Sequence, residues 1–447
     1  MKTRLSVCYA APGHALVSTS GATRNILSLA DKLSEWVDLT IAFRRLPEAP
    51  LRTASGVKAI SIEDAAPHDG DSRDDEATRG VNPVAHLRYW RSVRGFADRH
   101  ADSFDLVLEK GWRLSGLLLS HFAAHGVPGA VIENDARCWT DKGWDARTLL
   151  KWLFHMAAQR LSGHYCRQAR LVIAETKELK EQLVKVRKIP ADKIRVAPLG
   201  VDLQLFHPMD QALARRSLQF APDKRLLLYI GGMDKYHDLT PLIDALAQGA
   251  PEDVELHVVG DGEFKSLCEA KARLSKVPVV FHGRVAHEDV PRYIAASDLC
   301  LAPYRAQAFY EGVITFSTLK IPEYMACARP VASIPSGEMT RLITQGVSGF
   351  LFANTVAGWH ALLADLPDRR RLRAMGLAAR VPVSGRTWRS TALAYLEACS
   401  DALGTPDDEE MDAIRRESAQ AMAGSVSESE ALATRRARPG ASGSRRS

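Results

Sequence analysis

The sequence predicts an α/β protein made of two facing, doubly wound parallel sheets with a cleft between them. Three observations carry this. Short apolar runs alternate with helix-like segments nearly throughout the chain, the pattern of strand–helix–strand units. The apolar runs lack clean in–out alternation, as expected for parallel strands covered on both faces. Twelve such runs are too many for one comfortable sheet, and proline and glycine break both periodicities across residues 198–208.

The predicted strands of the first half are residues 4–10, 37–43, 104–108, 129–133, 171–174 and 194–197. Those of the second half are 225–230, 254–259, 279–281, 299–302, 331–334 and 350–352. Helical patterns such as 22–35 and 264–274 lie between them. The crevice between the halves collects the carboxyl ends of strands from both, where open α/β sheets bind ligands.

The chain has 447 residues, 46% hydrophobic and 25% charged. That balance excludes a wholly disordered, collagen-like or small disulfide-stapled protein. A net charge of +6 is too weak to indicate a nucleic-acid partner. Seven scattered cysteines with no C-x-x-C pair read as reduced thiols of a cytoplasmic protein. No apolar run nears the ~20 residues that span a bilayer. The run after Lys2 and Arg4 is too short for a signal-peptide core and reads as a first buried strand. Residues 63–76 carry seven acids against one arginine and read as a solvated loop. The tail at 404–447, acidic and then arginine-rich, reads as disordered.

Four stretches carry candidate chemistry. In residues 317–333, Ser317 or Thr318 can cap a helix running to Ala328. A helix N-terminus attracts phosphate, and Lys320 in the first turn is unfavourable there unless an anion compensates it. Glu323, one turn on, could accept hydrogen bonds from a sugar diol; from spacing alone, Lys320 and Glu323 read first as a surface ion pair. After the strand at 225–230, Gly231 and Gly232 allow close backbone approach to a ligand, and Lys235 could neutralise diphosphate charge. Gly260 and Gly262 form a third strand–turn–helix start. The small residues at 18–25, including Gly21, form a fourth after the first strand, with His14 nearby in a loop. No G-x-G-x-x-G, P-loop or G-x-S-x-G motif occurs. The one Asp-x-Asp, Asp69 with Asp71, lies in the acidic loop rather than at a strand end.

Taken in order, these stretches resemble the retaining nucleotide-sugar glycosyltransferases of family 4, which have the two-Rossmann GT-B fold. The resemblance rests on residues 194–208, 231–239, 259–262, 280–284, 296–304 and 317–326 and covers roughly 3–400. It implies transfer of a sugar from a nucleoside-diphosphate donor to an acceptor hydroxyl of a glycan, glycolipid or exopolysaccharide precursor, with retention and without metal or cofactor. It assigns Glu323 to the ribose, the backbone around Ser317, Thr318 and Leu319 to the diphosphate, and Lys235 and Lys320 to phosphate charge. Gly231 and Gly232 form the phosphate turn, Gly262 and Arg284 border the base, and Gly21 brings the first-domain loop close. It also divides the chain into an acceptor domain (1–203), a donor domain (204–385) and a terminal helix (386–403) that crosses back.

Two departures from the family pattern stand out. Eight residues before Glu323, where the family commonly has a second glutamate, stands Thr315; Glu311 substitutes only if the loop bulges. Gly232 stands where an arginine often follows the turn glycine, and Lys320 can supply that charge. The alternatives are a nucleotide-sugar epimerase on the same fold and a non-catalytic scaffold that binds nucleotide sugar or glycan. Two basic, aromatic segments of the first domain, 86–94 and 151–160, either touch a membrane surface and reach a lipid-linked acceptor or pack into the core. Asn134 and Asp135, ending a strand, are placed to face the cleft without an assigned role.

Overall fold

The computed structural model describes residues 4–16, 21–46, 57–63, 83–136, 146–249, 251–403 and Arg416. The first half forms a seven-stranded parallel sheet of β1 (Ser6–Ala15), β2 (Asp38–Arg45), β3 (Lys58–Ser61), β4 (Leu106–Lys110), β5 (Gly129–Glu133), β6 (Leu171–Ala174) and β7 (Ile194–Val196). Its spatial order is β3-β2-β1-β4-β5-β6-β7. The second half forms a six-stranded parallel sheet of β8 (Arg225–Ile230), β9 (Val254–Val259), β10 (Val279–Gly283), β11 (Leu299–Ala302), β12 (Val331–Ser333) and β13 (Gly349–Leu351), in the order β10-β9-β8-β11-β12-β13. Each order reverses beside the sheet's first strand, at β1/β4 and β8/β11. Those are the switch points at which such sheets open a ligand crevice.

Burial explains the strand sequences. Every residue of β4, β5, β6 and β11 is buried, so both faces are covered and no alternation survives. The structure adds a strand absent from the sequence reading, β3, a four-residue edge strand with one exposed and three half-buried residues. Its short, weakly apolar run gives no periodic signal. β1 runs on to Ala15 with a register shift between Ala11 and Ala15, so His14 is a strand residue rather than a loop residue. Glu63 is no solvated loop acid: its carboxylate accepts hydrogen bonds from Arg44 and Arg45. The rest of the acidic loop, including Asp69 and Asp71, and the tail beyond Leu403 apart from Arg416 lie outside the described residues, as does Cys138. The other six cysteines are free and buried.

The chain crosses between the sheets twice, side by side. Gly200 is required here, since a Cβ would lie 2.3 Å from the Trp388 nitrogen. Val201 N–H donates to the Arg386 carbonyl at 2.9 Å. The helix Trp388–Leu403 then packs on the first sheet, adding Trp388, Leu393, Tyr395, Leu396 and Cys399 to the core around Ile26, Leu29 and Leu33. Those last three come from the helix Gly21–Leu33, which follows β1.

Candidate active site

The second-domain side of the cleft is built where β8 ends. Gly231 has φ 144°, and a Cβ there would meet Lys320 Nζ at 2.7 Å. Gly260 (φ 130°) would place a Cβ 2.0 Å from the Gly231 carbonyl oxygen, and Gly262 (φ 154°) one 2.2 Å from that of Met233. The turns after β8 and β9 therefore interlock backbone on backbone, which only glycine permits. Gly232 differs: a Cβ there meets nothing nearer than Asp234 Oδ2 at 3.6 Å. Of the two turn glycines, only the first has a backbone conformation, φ 144°, that favours glycine.

Lys320 opens the helix Lys320–Ala326. Its Nζ lies 4.7 Å from the Tyr229 ring centroid, 5.5 Å from that of Tyr304 and 3.4 Å from Tyr229 Oη. Burial between the rings lowers its pKa to about 7, while the negative charges of Asp234 and Glu323 pull it back up. Asp234 is anchored by His237 Nδ1 at 2.9 Å and the Tyr236 N–H at 2.8 Å. Burial, with Lys320 nearby, drives His237 down to about 4, so it stays neutral. Glu323 is half-buried. Burial raises its carboxyl to about 7 against the attraction of Arg24 and then Lys320.

Arg24 reaches this site from the other domain. It stands in the first turn of the helix Gly21–Leu33, and its Nη1 lies 2.7 Å from Nδ1 of His287, beyond β10. Arg24 lies within the small-residue stretch at 18–25 that the sequence marks out. The signal was available: a cation in a helix's first turn, the same mismatch that singled out Lys320. Gly21 begins that helix, while Ser18–Ser20 lie outside the described residues.

The remaining expected donor residues fall into two groups. Ser317 and Thr318 are buried and committed. Ser317 Oγ donates to Glu338 Oε2 at 3.0 Å and accepts from Arg386 Nη2 at 2.7 Å. Thr318 Oγ1 is 2.7 Å from Tyr304 Oη. Neither caps the helix: Leu319 is its N-cap residue with no side-chain cap bond, and the helix ends at Ala326, before Ala328. Leu319 packs instead against the first-domain core. Lys235 and Arg284, by contrast, are exposed. Lys235 Nζ lies 5.1 Å from its neighbour Tyr236's ring centroid, and Arg284 Nε is 3.7 Å from Asp261 Oδ2, next to Gly262. The described contacts join neither of them to Lys320 and Glu323.

Thr315 is buried and its carbonyl accepts from Thr176 Oγ1 of the first domain. Glu311 does occupy a turned backbone, φ 53°. Both its carboxylate oxygens meet Lys185 Nζ of the first domain, at 2.5 and 2.7 Å.

On the first-domain side, Glu109, the penultimate residue of β4, and Glu133, the last of β5, are fully buried. Glu109 accepts from Trp112 Nε1 at 2.6 Å and from the N–H groups of Gly116 and Leu119, each at 2.8 Å. Glu133 pairs with buried Arg187. Asn134 Oδ1 is buried with no hydrogen-bond partner among the described residues. The two basic aromatic segments part company: Tyr89 packs inside and donates to the Pro12 carbonyl, whereas Trp152 and Leu153 are 40% and 52% exposed on the helix Ala146–Gln168. Among the described residues no helix is long and apolar enough to cross a membrane.

Two α/β domains, each built on a doubly wound parallel sheet, define the GT-B class. Residues 19–205 match the profile described as "Glycosyltransferase Family 4" and residues 224–368 that of "Glycosyl transferases group 1". The chain belongs to the family 4 glycosyltransferases. It is similar to the D-inositol 3-phosphate glycosyltransferase of Nocardia farcinica, 29% identical over 249 residues, 53% of each chain. It is also similar to the GDP-mannose-dependent alpha-(1-6)-phosphatidylinositol dimannoside mannosyltransferase of Mycobacterium tuberculosis, 28% identical over 47% of this chain and 52% of that one. The chain thus spans about half the length of the curated relatives it matches. Its fold is shared with crystalline Anabaena HepE in complex with UDP, with TM-score 0.66, 16% identity and coverage of 89% of this chain and 100% of that one.

Proposed function

We propose that the protein transfers a sugar, with retention, from a nucleoside diphosphate to an acceptor hydroxyl. The observation that carries this reading is the Lys320–Glu323 pair beside Gly231: a cation and an anion, each shifted to about pKa 7, at one switch point. Ionised Glu323 accepts hydrogen bonds from a ribose diol. Protonated Lys320, caged by Tyr229 and Tyr304, stabilises the charge that develops on the diphosphate as the sugar leaves. The free N–H groups at the start of the helix Lys320–Ala326 add to that field. Lys320 takes over from the arginine missing at Gly232, Gly262 and Arg284 border the base, and Lys235 guards the turn's outer edge. The acceptor hydroxyl attacks the face the diphosphate leaves, and positioning supplies much of the rate. No metal is invoked, because Lys320 and the backbone supply the positive charge.

The acceptor binds the first domain and is a glycan or lipid-linked glycan. Of the two candidate segments, the helix Ala146–Gln168 is the one that offers a membrane face, with Leu149, Trp152 and Leu153 exposed. Flotation with anionic liposomes should carry the protein, and Trp152→Glu should abolish that. The names of the relatives, an inositol phosphate glycosyltransferase and a phosphatidylinositol dimannoside mannosyltransferase, support an acceptor of this polyol or glycolipid kind. The transfer reading is tested by incubation with UDP-, GDP- and ADP-sugars and a panel of glycan and glycolipid acceptors. Acceptor-dependent release of one nucleoside diphosphate, lost in Glu323→Ala, is expected. Conversion of the donor to a different free nucleotide sugar would instead indicate the epimerase.

A further inference from the structure

Two segments of chain cross between the domains, and one side chain ties both of them to the loop that leads into the donor helix. Arg386 sits in the second crossing. Its carbonyl accepts from the Val201 N–H of the first crossing at 2.9 Å, and its Nε donates to the Leu199 carbonyl there at 2.6 Å. The other two guanidinium nitrogens serve the second domain. Nη1 donates to Glu338 Oε1 at 2.6 Å and Nη2 to Ser317 Oγ at 2.7 Å. Ser317 Oγ in turn donates to Glu338 Oε2 at 3.0 Å, which closes a ring of three side chains.

The ring is out of water: the Arg386 and Glu338 side chains are 10% and 7% exposed. A buried ion pair is tolerable only when its remaining donors and acceptors are also satisfied. The planar guanidinium fork meets that demand by serving several acceptors at once, which the single ammonium of lysine does not. Here the acceptors belong to three segments far apart in the chain, at Leu199, Ser317 and Glu338. From Ser317 the chain runs straight to the donor site. Thr318 Oγ1 lies 2.7 Å from Tyr304 Oη, and the Tyr304 ring centroid lies 5.5 Å from Lys320 Nζ. Leu319 packs on the first-domain core.

We infer that Arg386 is a positioning residue that locks residues 317–319 to the interdomain crossings, so that the helix beginning at Lys320 keeps its place for the donor only while the crossings keep theirs. The inference rests on the donor site proposed above, and it makes the connection between the domains part of donor recognition.

Hydrogen exchange of the full-length chain tests this without a donor, and calorimetric titration with UDP, GDP and ADP tests it with one. Arg386→Lys keeps a charge beside Glu338 but cannot hold Ser317 and Leu199 together. It should weaken nucleotide binding about tenfold, the scale of one hydrogen bond from a charged donor. Amides of residues 317–323 should exchange about tenfold faster, while those of the distant helix Thr240–Gly249 keep the wild-type rate. Ser317→Ala breaks the same link from its other end and should match both effects. The double variant should bind no more than about twofold more weakly than either single one, since the two changes remove one shared linkage. Arg386→Ala, where it folds, should recover affinity to within about threefold in millimolar ethylguanidinium, which returns the missing fork; Ser317→Ala should not respond to it. Additive losses in the double variant, wild-type exchange and affinity in Arg386→Lys, or uniformly faster exchange across the second domain would overturn the inference. If the wild type binds none of the three nucleotides while exchange responds as expected, the donor reading fails and the positioning of the loop by Arg386 stands.

Discussion

Glu109 and Glu323 share a raised pKa of about 7 and the same principal cause, burial, yet they do different work. Glu109 is saturated: an indole and two backbone N–H groups point at it. Its carboxylate ties the β4 end to the helix Leu117–Ala124. The Glu323 carboxylate has no hydrogen-bond partner among the described residues and is drawn by the charges of Arg24 and Lys320. A perturbed pKa therefore does not separate structure from function; unspent hydrogen-bonding capacity at a cleft does.

The largest expected effect sharpens that contrast. Glu323→Ala should lower transfer by two orders of magnitude or more in steady-state assays while leaving the melting temperature near wild type. Glu109→Ala should do the reverse. It strands three buried donors at about 1–3 kcal/mol each, so urea unfolding should reveal a large loss of stability with turnover per folded molecule retained. Equal behaviour of the two variants would break the comparison.

Next comes Lys320 against Lys235. Lys320→Met removes the caged charge and should cost transfer about 100-fold, whereas Lys235→Ala, at an exposed position, should cost tenfold or less by the same assay. A greater loss at Lys235 would return the phosphate role to the outer turn.

A smaller effect lies in pH. Phosphate binding needs Lys320 protonated and ribose binding needs Glu323 ionised, and the pair titrates near 7. Nucleotide affinity should thus peak near pH 7, falling below it as Glu323 protonates and above it as Lys320 loses its proton. Glu323→Gln should remove the acidic limb and Lys320→Met the alkaline one in calorimetric titrations. For stability the sign is separate: the Glu323 pKa is raised by folding, so its contribution is fully present below the unfolded value of 4.5 and is lost as pH rises through about 7.

The smallest effect concerns the exposed ion pairs between the domains, Lys185–Glu311 and Arg341–Glu178. Such pairs contribute about 0–1 kcal/mol and are screened by salt. Raising ionic strength should weaken nucleotide affinity only about twofold.

Much of the fold was legible because buried parallel strands announce themselves as apolar runs: β5, β6, β8, β9 and β11 have the bounds read from sequence. β3 was illegible because four half-buried residues at an edge carry no period. At the site, Lys320 and Glu323 were legible from helix electrostatics and motif order, and Gly231 from its strand-end place. What sequence could not supply was contact across the cleft. Arg24 meets His287 over 263 positions, and Ser317 proved committed to Arg386 and Glu338. Glu311 and Thr315 show the same limit, because their partners Lys185 and Thr176 belong to the other domain.

The central claim is that Glu323 and Lys320 form a nucleoside-diphosphate site. Thermal unfolding of the wild type and Glu323→Ala against UDP, GDP and ADP tests it most directly. A ligand at ~100 times its dissociation constant adds roughly 2.7 kcal/mol, a clear rise in melting temperature. The account predicts that one base raises the wild type's melting temperature and leaves Glu323→Ala unmoved. No shift with any of the three, or an equal shift in the variant, would contradict it.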